Sequence, residues 1–195
     1  MKIKFIIFIL LLSLLGFTKS YSIQPDVFVQ STVNKASSVL SSEISKEKKI
    51  SELKLIAKET VDIKGIGFYT LGSARKNLND EQKKKYAELF EQYFLKSFSS
   101  RLAEYTNPEI SVEGKKVLSE KYTIVNSLLK GTNERPEIKI DWRIYTKNPD
   151  NPLIRDLIIE GLSLARTQKE EFQSILNSNE GNIEVLFNTL REFSK

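Results

Sequence analysis

Chemistry in this chain has to be done with carboxylates, lysines and tyrosines, because its 195 residues include no histidine and no cysteine. That removes the usual base titrating near neutral pH. It also removes Ser-His-Asp and Cys-His arrangements and zinc sites built on nitrogen or sulfur. A buried Asp with a Tyr to polarise a substrate would still serve acid–base catalysis. Asp141 and Asp156 are the candidates, and both have plainer readings. Asp141 alternates with Lys139 and Arg143 on the water-facing side of a strand, where it pairs with its neighbours. Asp156 shares a strand face with Glu160, opposite Leu157 and Ile159, and reads as a structural hydrogen-bonder. The stretch "VDIKGIGFYTLG" brings together glycines 65, 67 and 72, as a phosphate-cradling loop would. The spacing is not G-x-G-x-x-G, however, and no strand leads into it. It reads as a short buried helix ended by Gly72. No catalytic residue, metal ligand or cofactor is implied.

The elements that would position any site follow from periodicity. Pro25–Ser45 reads as a helix with Pro25 in its first turn and Val29, Val33, Ala36, Leu40 and Ile44 on one stripe. Glu47–Thr60 repeats the pattern with Ile50, Leu53, Ile56 and Ala57. Asn79–Tyr105 is the strongest helix, opened by Asn79 with Gln82 at the reciprocal third position. Its stripe is aromatic-rich: Tyr86, Phe90, Tyr93, Phe94, Phe98 and Tyr105. After Pro108 the period changes from helical to alternating. Strands are predicted at Ile110–Leu118, Lys121–Lys130, Glu137–Thr146 and Leu153–Glu160. Thr167-x-x-Glu170 then reads as a capping box starting a helix near Gln168, and Ile183, Leu186, Phe187 and Leu190 mark a last helix. The predicted fold is α+β: N-terminal helices, an antiparallel sheet of about four strands, and C-terminal helices, with the helices packed on one face of the sheet.

The first 22 residues read as a secretory signal peptide. "MKIK" is basic, Phe5–Phe17 is almost wholly apolar, and Ser20 and Ser22 give the small-x-small exit near which cleavage is expected. The apolar run falls short of the ~20 residues that span a bilayer. Setting the leader aside leaves residues 23–195 as one domain, in an exported, periplasmic location, held without disulfides. Loss of Lys2, Lys4 and Lys19 takes the net charge from +5 to +2. Such a balanced surface does not suggest a nucleic-acid binder.

Several stretches carry a resemblance: "YTLGSARKNLNDEQKKKYAELFEQYFLKSFSSRLAEY", "IDWRIY", and "IRDLIIEGLSLARTQKEEFQSIL" followed by "NEGNIEVLFNTL". Their most specific pattern is Asp156, Leu157, Ile159, Glu160, Gly161 and Ser163, joined by Thr167, Gln168, Glu171 and Phe172 and by Leu71-Gly72. The chain resembles the MlaC family of exported phospholipid-binding proteins, also called toluene-tolerance or ABC-transporter auxiliary proteins. The resemblance implies a curved sheet wrapped by helices in a cup reminiscent of nuclear transport factor 2 domains. It also implies a non-enzymatic shuttle that maintains outer-membrane lipid asymmetry. Its partners would be a phospholipid, an outer-membrane lipoprotein complex and an inner-membrane ABC lipid transporter.

Taken with the periodicity, this places an expected lipid cavity between two apolar faces. One is Phe90, Phe94 and Phe98 of the long helix. The other is Ile138, Ile140, Trp142 and Ile144 of the sheet. Gly65, Gly67, Phe68 and Leu71 form the expected gate. Two alternatives stand beside it: a small cup-fold enzyme with a buried Asp, and a lipid-free periplasmic interaction subunit. A lone carboxylate deep in a cavity would favour the enzyme, and a dry apolar cavity the carrier.

Overall fold

A computed structural model describes residues 22–133 and 135–194, so the predicted signal peptide lies almost entirely outside the described residues. Three helices come first: α1 (Pro25–Ser41), α2 (Lys46–Thr60) and α3 (Ile63–Thr70). A short 3-10 helix, Gly72–Asn77, leads into the long α4 (Asp80–Leu102). The strands follow as β1 (Ile110–Ser119), β2 (Tyr122–Leu129), β3 (Ile138–Tyr145), β4 (Leu153–Ile159) and β5 (Leu162–Ser163). Helices α5 (Leu164–Asn177) and α6 (Ile183–Ser194) close the chain. The α+β prediction holds, with one more strand than expected. Each strand pairs antiparallel with its neighbour in sequence, in the spatial order β1-β2-β3-β4-β5.

The added strand moves the start of α5. Both Glu160 (φ 48°) and Gly161 (φ 83°) have positive φ, the geometry of a two-residue hairpin turn matched to strand twist. That turn pairs Leu162 with Ile159, so α5 begins at Leu164 rather than near Gln168. The predicted Thr167 cap is therefore corrected. Ser163 is the N-cap, accepting from the Arg166 amide at 3.1 Å, while the Thr167 hydroxyl donates back to the Ser163 carbonyl. Helix α1 ends four residues earlier than predicted. The Ser42 hydroxyl donates to the Val39 carbonyl at 2.6 Å, a local bond that competes with continuing the helix. The capping box of α4 forms as read, with Asn79 and Gln82 each accepting from the other's amide.

Two register details decide which side chains face inward. Trp142 of β3 lies between Val125 of β2 and Leu157 of β4, and Ile140 between Ser127 and Ile159. On β4, Arg143 pairs with Asp156 but Ile144 pairs with Ile154, leaving Arg155 as an extra, bulged residue. The bulge resets the alternation. Ile154 can then face the same way as Leu157 and Ile159, while Asp156 turns to the opposite side.

The interior has two parts. Around the first half of α4, the rings of Tyr86, Phe90, Phe172 and Phe187 are almost fully buried together. Phe90 stacks on Tyr86 at 5.8 Å and meets Phe172 edge-on at 6.2 Å, offset and T-shaped geometries that aromatic quadrupoles favour. Burial pushes the Tyr86 phenol well above its usual pKa, and its hydroxyl pairs with Thr70 at 2.8 Å. Gly67 of α3 lies so close that a Cβ there would sit 2.7 Å from the Phe90 ring. This part is filled by large buried rings. The other part lies under α1, α2 and the far end of α4.

Candidate functional site

Between α1, α2 and the inner face of the sheet is an apolar cavity of about 150 Å³. Helix α1 contributes Thr32, Val33, Ala36, Ser37 and Leu40, and α2 contributes Leu53, Ile56, Ala57 and Thr60. The sheet supplies Leu129, Ile140, Trp142, Ile154, Leu157 and Ile159 as the opposite wall. Phe98 and Leu102 of α4, with Tyr105, Pro108 and Ile110, complete it. The α1 and α2 stripes are ordinary amphipathic helix faces, but at Ala36, Ser37, Ala57 and Thr60 the side chains are small. Two helix faces carrying short side chains stand opposite the sheet, and the space between them stays open.

The lining has almost nothing polar to offer a guest. The Thr32 hydroxyl donates to the Phe28 carbonyl at 2.9 Å, and that of Thr60 to Ile56 at 2.7 Å, each within its own helix. Ser37 donates to the Pro108 carbonyl at 3.2 Å. The Trp142 indole N–H donates to Ser127 Oγ at 2.8 Å, and Ser127 donates on to the Ile140 carbonyl. Among the described residues no buried side-chain N or O atom lacks a partner. Because its polar groups are satisfied internally, the cavity favours apolar matter over water. Val33, Leu53, Ala57 and Trp142 of the lining are buried, while Phe98, Leu102, Tyr105, Pro108 and Leu157 are half-exposed.

Of the seven side chains expected to form the pocket, Phe98, Ile140 and Trp142 line the cavity. Phe90 belongs to the solid aromatic cluster, and Ile144, fully buried, packs in the same continuous core. Phe94 bridges the two parts, stacked on Phe90 at 6.2 Å and on Phe98 at 5.4 Å. Ile138 lines a neighbouring, more polar depression near Arg135. None of Gly65, Gly67, Phe68 and Leu71 lines the cavity. They lie in or directly after α3. Its start is pinned by Asp62, which accepts from the Gly65 amide at 2.8 Å and pairs with Arg155. Leu71 is fully buried.

The carboxylates weighed for catalysis stand outside the cavity. Asp156 is 3% exposed, but it is not alone. It accepts from the Ser163 hydroxyl at 2.6 Å and the Ala165 amide at 3.0 Å, with Arg143 at 3.7 Å. These bonds tie β4 to the first turn of α5, where a helix N-terminus favours negative charge. Asp141 accepts from the Asn126 amide group at 2.8 Å on the outer face. A wider depression of about 620 Å³ runs between the 3-10 helix and α5, lined in part by Asn77, Gln82 and Gln173. It is partly open to solvent, and no charged side chain lines it. Among the described residues no group of three or more carboxylates is placed to hold a metal ion. No helix of the described residues is long and apolar enough to cross a membrane.

Comparison with known proteins adds three findings. A family model described as "MlaC protein" matches residues 30–192. Among solved structures, the fold is similar to that of the phospholipid-binding protein from Ralstonia solanacearum, determined in complex with a phospholipid. The TM-score is 0.73, at 17% sequence identity over 88% of this chain and 97% of that one. No curated protein matches the sequence.

Proposed function

The chain belongs to the MlaC protein family, and from that premise we propose that it is a periplasmic phospholipid carrier and not an enzyme. In this reading it holds acyl chains in the cavity between α1, α2 and the sheet. It moves lipid between an outer-membrane complex and an inner-membrane ABC transporter. Support for the periplasmic location is the leader-like stretch of residues 1–22, and support for the transport partners is the family resemblance. The single observation that carries lipid binding is the cavity itself, an apolar space whose buried polar side chains find their partners within the protein.

Magnitudes set what loading requires. Two acyl tails carry roughly 30 methylenes at about 0.8 kcal/mol each, so burying them is worth on the order of 24 kcal/mol before costs. Affinity can come from burial alone. A space of about 150 Å³, however, is what holds a molecule the size of benzene, and ligand pockets commonly run to roughly 300–1,000 Å³. Two full tails therefore need α1 and α2 to move away from the sheet. The ion pairs that tie α1 and α2 to their neighbours suit such motion. Lys115–Asp26 at 2.7 Å joins α1 to β1 and Lys58–Glu91 at 3.0 Å joins α2 to α4; both are exposed pairs, each worth little in water.

The test is to extract lipid from the purified protein and quantify it by mass spectrometry, against a variant carrying Ala36→Phe and Ala57→Leu. Stoichiometric phospholipid on the wild type and marked loss in the folded variant are expected. Wild-type protein free of lipid, or full occupancy in the variant, would sink the carrier reading.

A further inference from the structure

At its half-exposed residues Tyr105 and Pro108, the apolar cavity adjoins a second depression of different character. Its volume is about 230 Å³, and it shares Tyr105, Pro108 and Leu129 with the cavity. Three charged side chains among the described residues line it: Glu109, Lys130 and Arg135. Lys130 is committed to Glu109 at 2.9 Å. Arg135 has no carboxylate partner among the described residues; its guanidinium lies over the Tyr105 ring, 5.0 Å from the centroid. The backbone holds it there through a tight turn, in which Thr132 and Arg135 exchange amide–carbonyl bonds of 2.8 and 3.3 Å. A guanidinium held over a ring still has N–H donors to offer, and its planar fork matches phosphate bidentately.

We propose that this depression is a headgroup subsite, in which Arg135 binds the phosphate of the phospholipid whose tails occupy the cavity. The inference rests on the carrier reading and adds to it a ligand class and a residue. Tyr105, common to both spaces, joins them: its ring borders the route of the tails and carries the cation that meets the headgroup. Tail burial sets most of the affinity, and Arg135 makes the protein prefer lipids with a phosphate over neutral lipids with the same tails. The phosphate chemistry alone would equally suit a free inorganic anion, so the test separates the two sources.

Calorimetric titration of the purified protein would compare dihexanoylphosphatidylglycerol with dihexanoylglycerol, which has the same tails and no phosphate. Wild type should prefer the phospholipid by about tenfold, the scale of one charge-assisted contact. Arg135→Gln should erase that preference while leaving dihexanoylglycerol binding unchanged. Arg135→Lys should keep part of it, and about 0.5 M salt should shrink it in wild type but not in Arg135→Gln. Equal wild-type affinity for the two lipids, or a preference that survives Arg135→Gln, overturns the subsite and leaves the carrier reading intact. Binding of neither lipid overturns both. Inorganic phosphate that binds through Arg135 without competing with the phospholipid assigns a free-anion site and overturns the headgroup assignment.

Discussion

Helix α4 passes through two interiors that differ in kind. Along its first half, Tyr86 and Phe90 are clamped by α3, α5 and α6 in a cluster of large, almost fully buried rings. Along its second half, Phe98 and Leu102 look onto the cavity. The aromatic stripe is continuous, and nothing in α4 itself marks the change. The difference comes from what stands opposite. In the solid half, Phe172 and Phe187 fill the space. In the hollow half, Ala36, Ser37, Ala57 and Thr60 leave it open. Large apolar side chains are thus not by themselves a sign of a ligand pocket. A pocket needs large side chains on one wall and short ones on the other.

The sharpest way to break this comparison is to truncate a ring on each side of it. Phe90→Ala should cost about 3–5 kcal/mol, because the surrounding rings cannot collapse into the gap. Phe98→Ala, at a ring already half-exposed and bordering open space, should cost far less. Urea midpoints of the two variants measure the contrast, and equal losses would mean that the two halves are not different.

Removing the carboxylate that ties sheet to helix comes next. Asp156→Ala leaves the Ser163 hydroxyl and the Ala165 amide without their acceptor, at a cost of about 2 kcal/mol. The midpoint should fall while lipid content per folded molecule stays at the wild-type value. A specific loss of lipid would move Asp156 into the hollow half.

Gly67→Ala probes the solid half by addition. Its new methyl would meet the buried Phe90 ring at 2.7 Å, and overpacking there should cost about 1–3 kcal/mol despite the better helix propensity of alanine. The Ala36→Phe, Ala57→Leu pair adds far more volume to the hollow half, yet should cost no more than Gly67→Ala, because open space is there to receive it. Thermal melts of the two proteins measure the contrast, and a larger loss in the double variant would erase the distinction between the two halves.

The smallest effect belongs to the tie between α1 and β1. The hydrogen bond from Lys115 holds Asp26 below the usual carboxylate pKa. A carboxylate lowered on folding stabilises the fold above its unfolded pKa, and that contribution is lost as the pH falls through the lower folded value. Asp26→Asn should therefore cost less than about 1 kcal/mol at neutral pH. It should also flatten the stability profile slightly below the ordinary value of 3.8. An unchanged profile would show that this tether does not hold the hollow half shut.

Much of this protein was legible in the chain alone. The apolar stripes of α1, α2 and α4, the Asn79–Gln82 capping box and the alternation of Ile138, Ile140, Trp142 and Ile144 are local patterns. Local geometry turns each of them directly into an element and a buried face. The absence of histidine and cysteine likewise narrowed the available chemistry before any fold was known. What only the tertiary structure decided was where those faces meet. The turn at Glu160-Gly161 inserted β5 and shifted the cap from Thr167 to Ser163. The bulge at Arg155 brought Ile154 into phase with Leu157. Phe90 and Phe98 share one stripe, yet only one of them borders the cavity. The physical reason is that a void is a sum of side-chain volumes over several elements far apart in sequence, whereas periodicity reports one element at a time.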